Sequence, residues 1–198
     1  IRNISERHAD RASILRLTQL YATLSQCNRA IVHSSSEAEL LQTICRVAVQ
    51  SGGMKMAWVG MLNSDTQMLE PRSSYGDDTG YLKDLDIPVK GNSPAATGPV
   101  IRAINEQQPV WCQDVQNDPT TGPWRERAKA AGLAASAYLL LVKGGVVVGT
   151  FTLYTHETGG FGPSTRDLLV EMADDISFAL DRFASDAVRH QVEEDVKY

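Results

Sequence analysis

The sequence predicts an α+β fold: a central antiparallel sheet with the terminal helices on one face and small helices and loops on the other. Three observations predict it. The first is a hairpin. Two apolar runs, 133–142 and 146–155, flank Lys143-Gly144-Gly145, and the Gly pair supplies the positive φ that a tight turn requires. Alternation places Ala135, Ala137, Leu139 and Leu141 with Val147, Gly149, Phe151 and Leu153 on one aliphatic face. The other face carries Ser136, Tyr138, Leu140 and Val142 with Val146, Val148, Thr150, Thr152 and Tyr154, so the hairpin is apolar on both sides and belongs mid-sheet. Its hydroxyls suit the floor of a pocket. The second observation is another hairpin-connected pair of strands, 55–62 and 68–75, joined by Asn63-Ser64-Asp65. The third is apolar residues at spacings of three and four near both ends of the chain.

Taken in order, residues 1–13 are polar and show no apolar face. Ile14, Leu17, Tyr21, Leu24, Asn28 and Ile31 then form a heptad seam on a helix, with Leu20 and Cys27 beside it. Such a seam serves either packing within the domain or a dimer, and both readings stay open. Ser36 with Glu39 reads as a capping box for a second helix, buried through Leu40, Leu41, Ile44, Cys45, Ala48 and Val49 and ended by Gly52-Gly53. After the first strand pair, 78–96 is loop-rich, with a helical turn expected at 81–85 and a short strand at 87–89. Thr97 is expected to cap a helix bearing Val100, Ile101 and Ile104, which stops before Pro109. A short strand at 109–112 belongs near an edge, because Pro cannot donate to a ladder. Pro123 opens a helix through Ala131, after a loop at 114–122. Ser164 with Asp167 is expected to cap the last helix, whose seam is Leu169, Met172, Ile176, Ala179 and Phe183. Beyond it Val188, Val192 and Val196 lie on a shifted stripe. The division that follows is a terminal helix over 1–36, a domain over 37–183 and a connector helix over 184–198.

Composition narrows the function. Nineteen basic and 24 acidic residues give a net charge of −5, with the two signs interspersed. That argues against nucleic acid or an anionic membrane as a partner. The apolar runs are too short to span a bilayer, and no signal peptide opens the chain. Cys27, Cys45 and Cys112 are odd in number and widely spaced, which suits a reducing, cytoplasmic setting. An opening at Ile1 instead of methionine is expected of a piece of a longer protein.

Several stretches occur together in order: MAWVG (56–60), TGPVIRAINEQQPVWCQDVQNDP (97–119), PWRERAKAAGLAAS (123–136), VVVGTFTLYTHETGGF (147–161) and LVEMADDISFAL (169–180). Together they resemble a GAF domain, a PAS-like fold of bacterial signalling proteins, over roughly 37–183. Pro123-Trp124-Arg125 and Ala173-Asp174-Asp175-Ile176-Ser177 look like the GAF domains that precede diguanylate cyclase and cyclic-di-GMP phosphodiesterase outputs; similar ones precede histidine kinases. Ile101 and Leu140 depart from the glycine and proline common at those places. The resemblance implies a sensory or regulatory domain that binds a small molecule and controls an output domain in cis. The alternatives are a ligand-free dimerisation scaffold and, last, a thiol enzyme like the free methionine sulfoxide reductases.

The residues give that enzyme little. His8, His33, His156 and His190 are isolated, and none shares metal-ligand spacing with Cys, Asp or Glu. No nucleophile–base constellation can be assembled, and 90–98, where the reductases carry cysteine, has none. The same absence counts against a covalently attached bilin. The expectation is no catalysis by this chain, no metal and no assigned cofactor. A ligand site is expected between the hydroxyl-bearing face of the central hairpin and segments 75–100 and 111–131. Its candidates are Tyr75, Tyr81, Trp111, Asp114, Trp124, Arg125, Tyr138 and Thr152, with Trp58 and Asp118 nearby. Aromatic rings would wall the ligand while Arg125 and an aspartate orient it. A helix start at 124–125 would favour an anion. Against this stands the plainer reading that Trp58 and Trp111 are core and that Arg125 with Asp118 holds a loop. A parallel homodimer through 14–31 and 169–183 is the expected assembly.

Overall fold

Five antiparallel strands lie in the order β2-β1-β5-β4-β3, in a computed structural model that describes residues 2–91 and 93–195. They are β1 (Met56–Asn63), β2 (Met68–Tyr75), β3 (Val110–Cys112), β4 (Ala135–Lys143) and β5 (Val146–Thr155). The β4–β5 hairpin turns on Gly144 at φ 58° and Gly145 at φ 76°, and β5 occupies the centre. β3, beginning after Pro109, is one edge and β2 the other. The segment near Ile87 adds a short bridge to β2, where Leu69 N–H bonds the Ile87 carbonyl at 2.9 Å.

Helices α1 (Arg2–His33), α2 (Glu37–Gln50) and α5 (Pro163–Asp195) cover one sheet face. Their buried residues pack on Ala57, Val59, Ala135, Ala137, Leu139, Leu141, Phe151 and Leu153. Shorter elements cover the other face: a 3-10 turn at Pro94–Thr97, α3 (Pro99–Glu106), a 3-10 turn at Pro119–Trp124 and α4 (Arg125–Ala130). Two separate apolar layers result, as alternation on the hairpin requires.

Several local expectations need correction. Val147 packs with the second layer, because a register shift between Leu141 and Val142 pairs Val142 with Val147 and moves the odd residue to Val148. α1 begins at Arg2, so the polar segment before Ile14 is helical too. On α1 the buried stripe is Leu20, Thr23, Leu24, Cys27 and Ile31, while Ile14, Tyr21 and Asn28 face solvent. Residues 81–84 form the expected turn, with Lys83 N–H on the Gly80 carbonyl and Leu85 N–H on that of Leu82, while the strand expected at 87–89 is reduced to a bridge. Thr97 caps nothing; Gly98 stands at the N-terminus of α3, and the Thr97 hydroxyl donates back to the Pro94 carbonyl at 3.0 Å. Pro123 lies inside the second 3-10 turn, and α5 starts at Pro163. At α2 the Ser36 hydroxyl accepts from Glu39 N–H at 3.2 Å, but the Glu39 carboxylate reaches Ser35 N–H and Oγ instead of Ser36. Val196 falls outside the described residues.

α1 and α5 run parallel: Arg16 donates to the Gly160 carbonyl at 3.2 Å, and Arg182 to that of Ile31 at 2.6 Å. The first turns of α1 therefore project from one pole of the sheet and the last turns of α5 from the other.

Candidate functional site

A narrow cavity of about 20 Å³ lies on the sheet face away from the terminal helices. Its floor is Trp58 of β1, Tyr138 of β4 and Tyr154 of β5. Tyr81, Leu85, Ile87, Pro99, Val100, Val115, Thr121 and Trp124 close it above. No charged side chain lines it.

Each wall has a local cause. The Asp77 carboxylate accepts from Tyr81 N–H at 2.6 Å and Leu82 N–H at 2.9 Å, fixing the turn that lowers Tyr81 onto the sheet. Arg127 binds the Tyr81 carbonyl at 3.2 Å from α4. Tyr81 and Tyr138 each stand edge-on to Tyr154, with centroids 5.6 and 6.4 Å away. The buried Thr121 hydroxyl donates to the Val115 carbonyl at 2.6 Å, closing the loop after β3 into a tight arch. The Trp124 ring, half-buried, lies directly on Gly98, where any Cβ would run into it. Gly98 is required there for close approach and not for its φ, which is −68°.

The site is electrically quiet. Burial first, and then the neighbouring tyrosines, push the Tyr81, Tyr138 and Tyr154 phenols upward, so all three stay protonated. Ser136 Oγ donates to the Tyr138 hydroxyl at 3.0 Å. Among the described residues four buried side-chain atoms lack a hydrogen bond of ordinary geometry, Trp58 Nε1, Arg125 Nε, Thr150 Oγ1 and Thr152 Oγ1, and the first and last of them belong to the cavity floor and the layer beneath it. Trp58 Nε1 is near enough to the Tyr154 hydroxyl to favour its ionised form, yet makes no bond of ordinary geometry. Thr152 Oγ1, set between Trp58 and Tyr138 by strand register, has no hydrogen-bond partner among the described residues. An unmet buried donor or hydroxyl costs about 1–3 kcal/mol.

Of the residues singled out in the sequence, Tyr81, Trp124 and Tyr138 line this cavity and Thr152 lies under its floor. Four do not. Tyr75 packs with the helical layer, its hydroxyl accepting from Gln50 Nε2 at 2.8 Å. Trp111 also points to the helices, its ring tilted against that of Phe161 with the Arg166 guanidinium 5.2 Å from its centre; Val110 and Cys112 take the cavity-side parity of β3. Asp114 organises its own loop: the Asn117 amide, then the Asn117 and Gln116 N–H groups, hold its carboxyl below the ordinary value. Arg125 donates from Nη2 to the Asp118 carbonyl at 2.9 Å, a peptide group and not the carboxylate. Its own N–H bonds the Gly122 carbonyl, so α4 continues the 3-10 turn and presents no free helix start for an anion. Ile101 and Leu140 do not line the cavity. Leu85, Ile87, Pro99, Val100, Val115 and Thr121 were not among the sequence candidates, since nothing in a single loop or short helix tells which of its residues will meet the sheet; the even parity of Trp58, Thr152 and Tyr154 was the usable signal.

The thiols are withdrawn from solvent. Burial first, then the Asp118 charge, pushes Cys112 up to about 11. Burial likewise pushes Cys27 and Cys45 up to about 12. Burial also raises Asp118, but Thr120, the Cys112 thiol and Arg102 outweigh it and leave the carboxyl below its usual range. Among the described residues no cluster of His, Cys, Asp or Glu could hold a metal ion, and no helix is long and apolar enough to cross a membrane.

Comparison with known proteins adds the following. The family model for the GAF domain matches residues 34–181. No curated protein sequence matches the chain. Among solved structures, the GAF domain of a phosphoenolpyruvate-protein phosphotransferase from Coxiella burnetii superposes with a TM-score of 0.70 at 9% identity, over 87% of this chain and 98% of that one. Free methionine-R-sulfoxide reductase from Neisseria meningitidis, solved with its substrate, gives 0.70 at 14% identity, over 84% and 90%. A domain described as part of a two-component sensor histidine kinase from Sinorhizobium meliloti gives 0.61 at 18% identity, over 79% and 99%. At such identities these structures share the fold.

Proposed function

Since this chain belongs to the GAF domain family, we propose that it is a sensory module that takes a small molecule in the tyrosine-walled cavity and controls an attached output domain. The observation that carries this reading is an aromatic, uncharged cavity with a buried indole N–H in its floor and a buried hydroxyl beneath it, neither making a hydrogen bond of ordinary geometry among the described residues. A route outward exists in β4. Tyr138 lies on the floor, and the far end of the same strand is held by α5: Val142 N–H bonds Ser177 Oγ at 2.9 Å, and Gly144 N–H bonds the Asp181 carboxylate at 2.7 Å. Lys143 pairs with Glu37 of α2 at 3.1 Å. A ligand that prefers one position of the hairpin would bias α5 by its difference in affinity for the two arrangements. Cyclic-di-GMP turnover is the output we favour, on the likeness of 123–125 and 173–177 to domains that precede such enzymes. Chemistry by this chain itself is disfavoured by the depth of its three thiols. Native mass spectrometry of freshly purified protein should show one small molecule retained and released on unfolding. Repeated preparations without bound mass would overturn the reading.

We further propose a parallel homodimer. The inner seams, Leu24 and Met172 among them, are used up in the fold. Ile14, Tyr21 and Val32 on α1 and Phe178, Val188 and Val192 on α5 remain exposed. Phe178 is 72% exposed, a large loss for a lone apolar ring. Light scattering should give twice 21.6 kDa. The Tyr21→Glu, Phe178→Glu double variant should fall to monomer and stay folded, whereas Leu24→Glu or Met172→Glu should unfold. A monomeric parent at high micromolar concentration would refute the dimer.

A further inference from the structure

We propose that Trp124 is a resident plug in the cavity mouth, and that the ligand displacing it is an uncharged planar bicyclic ring bearing one hydrogen-bond acceptor for Trp58 Nε1–H. The inference rests on the sensory reading above and specifies the chemistry of the same cavity.

Size comes first. About 20 Å³ is room for a water molecule and not for an organic ligand. Something must leave before a metabolite can enter. The floor cannot, because Trp58, Tyr138 and Tyr154 are buried on paired strands. Above it Tyr81, Pro99, Val100, Val115 and Thr121 are buried as well. Leu85 and Trp124 are the lining side chains that reach solvent along part of their surface. Of these Trp124 is the larger, and no hydrogen bond among the described residues ties its indole N–H. It sits at the joint between a 3-10 turn and the short α4, where a small change of backbone would swing it outward.

Shape follows from what leaves. An indole that lifts off Gly98 vacates a flat, two-ring slot continuous with the cavity. The lining bears no charge, and the phenols around it are neutral, so an ion would be stripped of water with no counter-charge in return. Polarity is set by the floor. Trp58 Nε1 is a donor only, in a side chain 1% exposed, and Thr152 Oγ1 beside it is fully buried; among the described residues neither makes a hydrogen bond of ordinary geometry, the Tyr154 hydroxyl near Trp58 Nε1 included. A ring nitrogen or ring carbonyl meets that need.

Three probes built on one bicyclic ring separate these elements: quinoline (acceptor, uncharged at neutral pH), naphthalene (no acceptor) and quinoline-2-carboxylate (charged). Binding is followed calorimetrically and through the Trp58 indole N–H resonance. Quinoline should bind the Trp124→Ala protein at least tenfold more tightly than the parent, since no plug must be displaced. Gly98→Ala should act in the same direction by crowding Trp124 off its seat, and it carries the test if Trp124→Ala does not fold. Against Trp124→Ala, naphthalene should bind at least tenfold more weakly than quinoline and leave the Trp58 resonance unmoved, and the carboxylate should show no saturable binding. Quinoline affinity unchanged in both variants, naphthalene equal to quinoline, a bound carboxylate, or no quinoline binding at its solubility limit would each overturn the inference. A charged metabolite found by native mass spectrometry would sink this inference and leave the sensory reading standing. Quinoline binding as described, with no metabolite ever retained, would do the reverse.

Discussion

Valine in place of Gly149 should abolish the folded state. Gly149 lies on the central strand, opposite Met61 of β1 on one side and Leu141 of β4 on the other. A Cβ there would run into the Gly60 carbonyl oxygen and come within 2.8 Å of Met61 Sδ. Gly60 in turn faces Trp58 and Leu69, each closer than 3 Å to the Cβ it lacks. Two paired strands thus approach closely at a pair of glycines, and β5 cannot shift because it is bonded along both edges. Overpacking a yielding core costs about 1–3 kcal/mol, and an unyielding backbone clash costs more, against a total stability of about 5–15 kcal/mol. Circular dichroism at 25 °C should show no cooperative melt for Gly149→Val. Gly144→Ala is the control, meeting only its positive φ of 58° and nothing within 4 Å, and should cost about 1 kcal/mol. A Gly149→Val protein that melts within a few degrees of the parent would show that β1 and β5 can move apart.

Alkali should unfold the domain well before it unfolds a typical protein of this size. In the folded chain Cys112 is pushed up to about 11, and Cys27 and Cys45 to about 12, against an ordinary 9.0. Burial is the first cause in all three, and it raises Tyr81, Tyr138 and Tyr154 above 10.0 as well. Below pH 9 both states hold these protons and nothing is lost. Above it the unfolded chain releases protons that the folded chain retains, so stability falls as pH rises toward the folded values. Each such group removes about 1.4 kcal/mol per pH unit within its window. Three thiols together reach several kcal/mol by about pH 10.5, a large part of the whole. Urea midpoints should be level from pH 7 to 8.5 and decline steeply beyond, and Cys112→Ala should flatten the decline. A midpoint that stays level to about pH 10.5 would contradict the depth assigned to these groups.

What could be read from the sequence was local. The β4–β5 hairpin followed from period-two alternation and a glycine turn, and the first strand pair from an apolar run ended by Asn63-Ser64-Asp65, signals that neighbouring residues set without help. The helix α1 was harder. Its three-and-four spacing supports two overlapping stripes, one through Leu20, Leu24 and Cys27 and one through Ile14, Tyr21 and Asn28, and only docking on α2 and α5 selects between them. Trp111 was assigned to the wrong face because a three-residue strand offers no alternation to count; its pairing with Ala137 fixes its side. The shift that sends Val147 to the other layer leaves no trace in residue type. Arg125 and Asp118 were correctly brought together, but the carbonyl takes the guanidinium because the carboxylate is engaged by Thr120. The aromatic make-up of the cavity was legible; the seating of Trp124 on Gly98 was not, since it joins segments that meet only in three dimensions.

The strand order has a consequence for how the chain must assemble. β5 stands at the middle of the sheet but is the last strand in sequence. The β1–β2 hairpin can form early, yet one of its edges stays open until residues near 150 arrive, as in the pairing of Trp58 with Thr152. α1 waits longer still, for α5: Arg182 and Ile31 meet across 151 residues. Closing contacts so far apart makes for slow acquisition of structure and a long interval with unpaired strand edges. On the ribosome, therefore, most of this chain is made before its first layer can close, and through that interval the open edge of β1 is left without its partner strand.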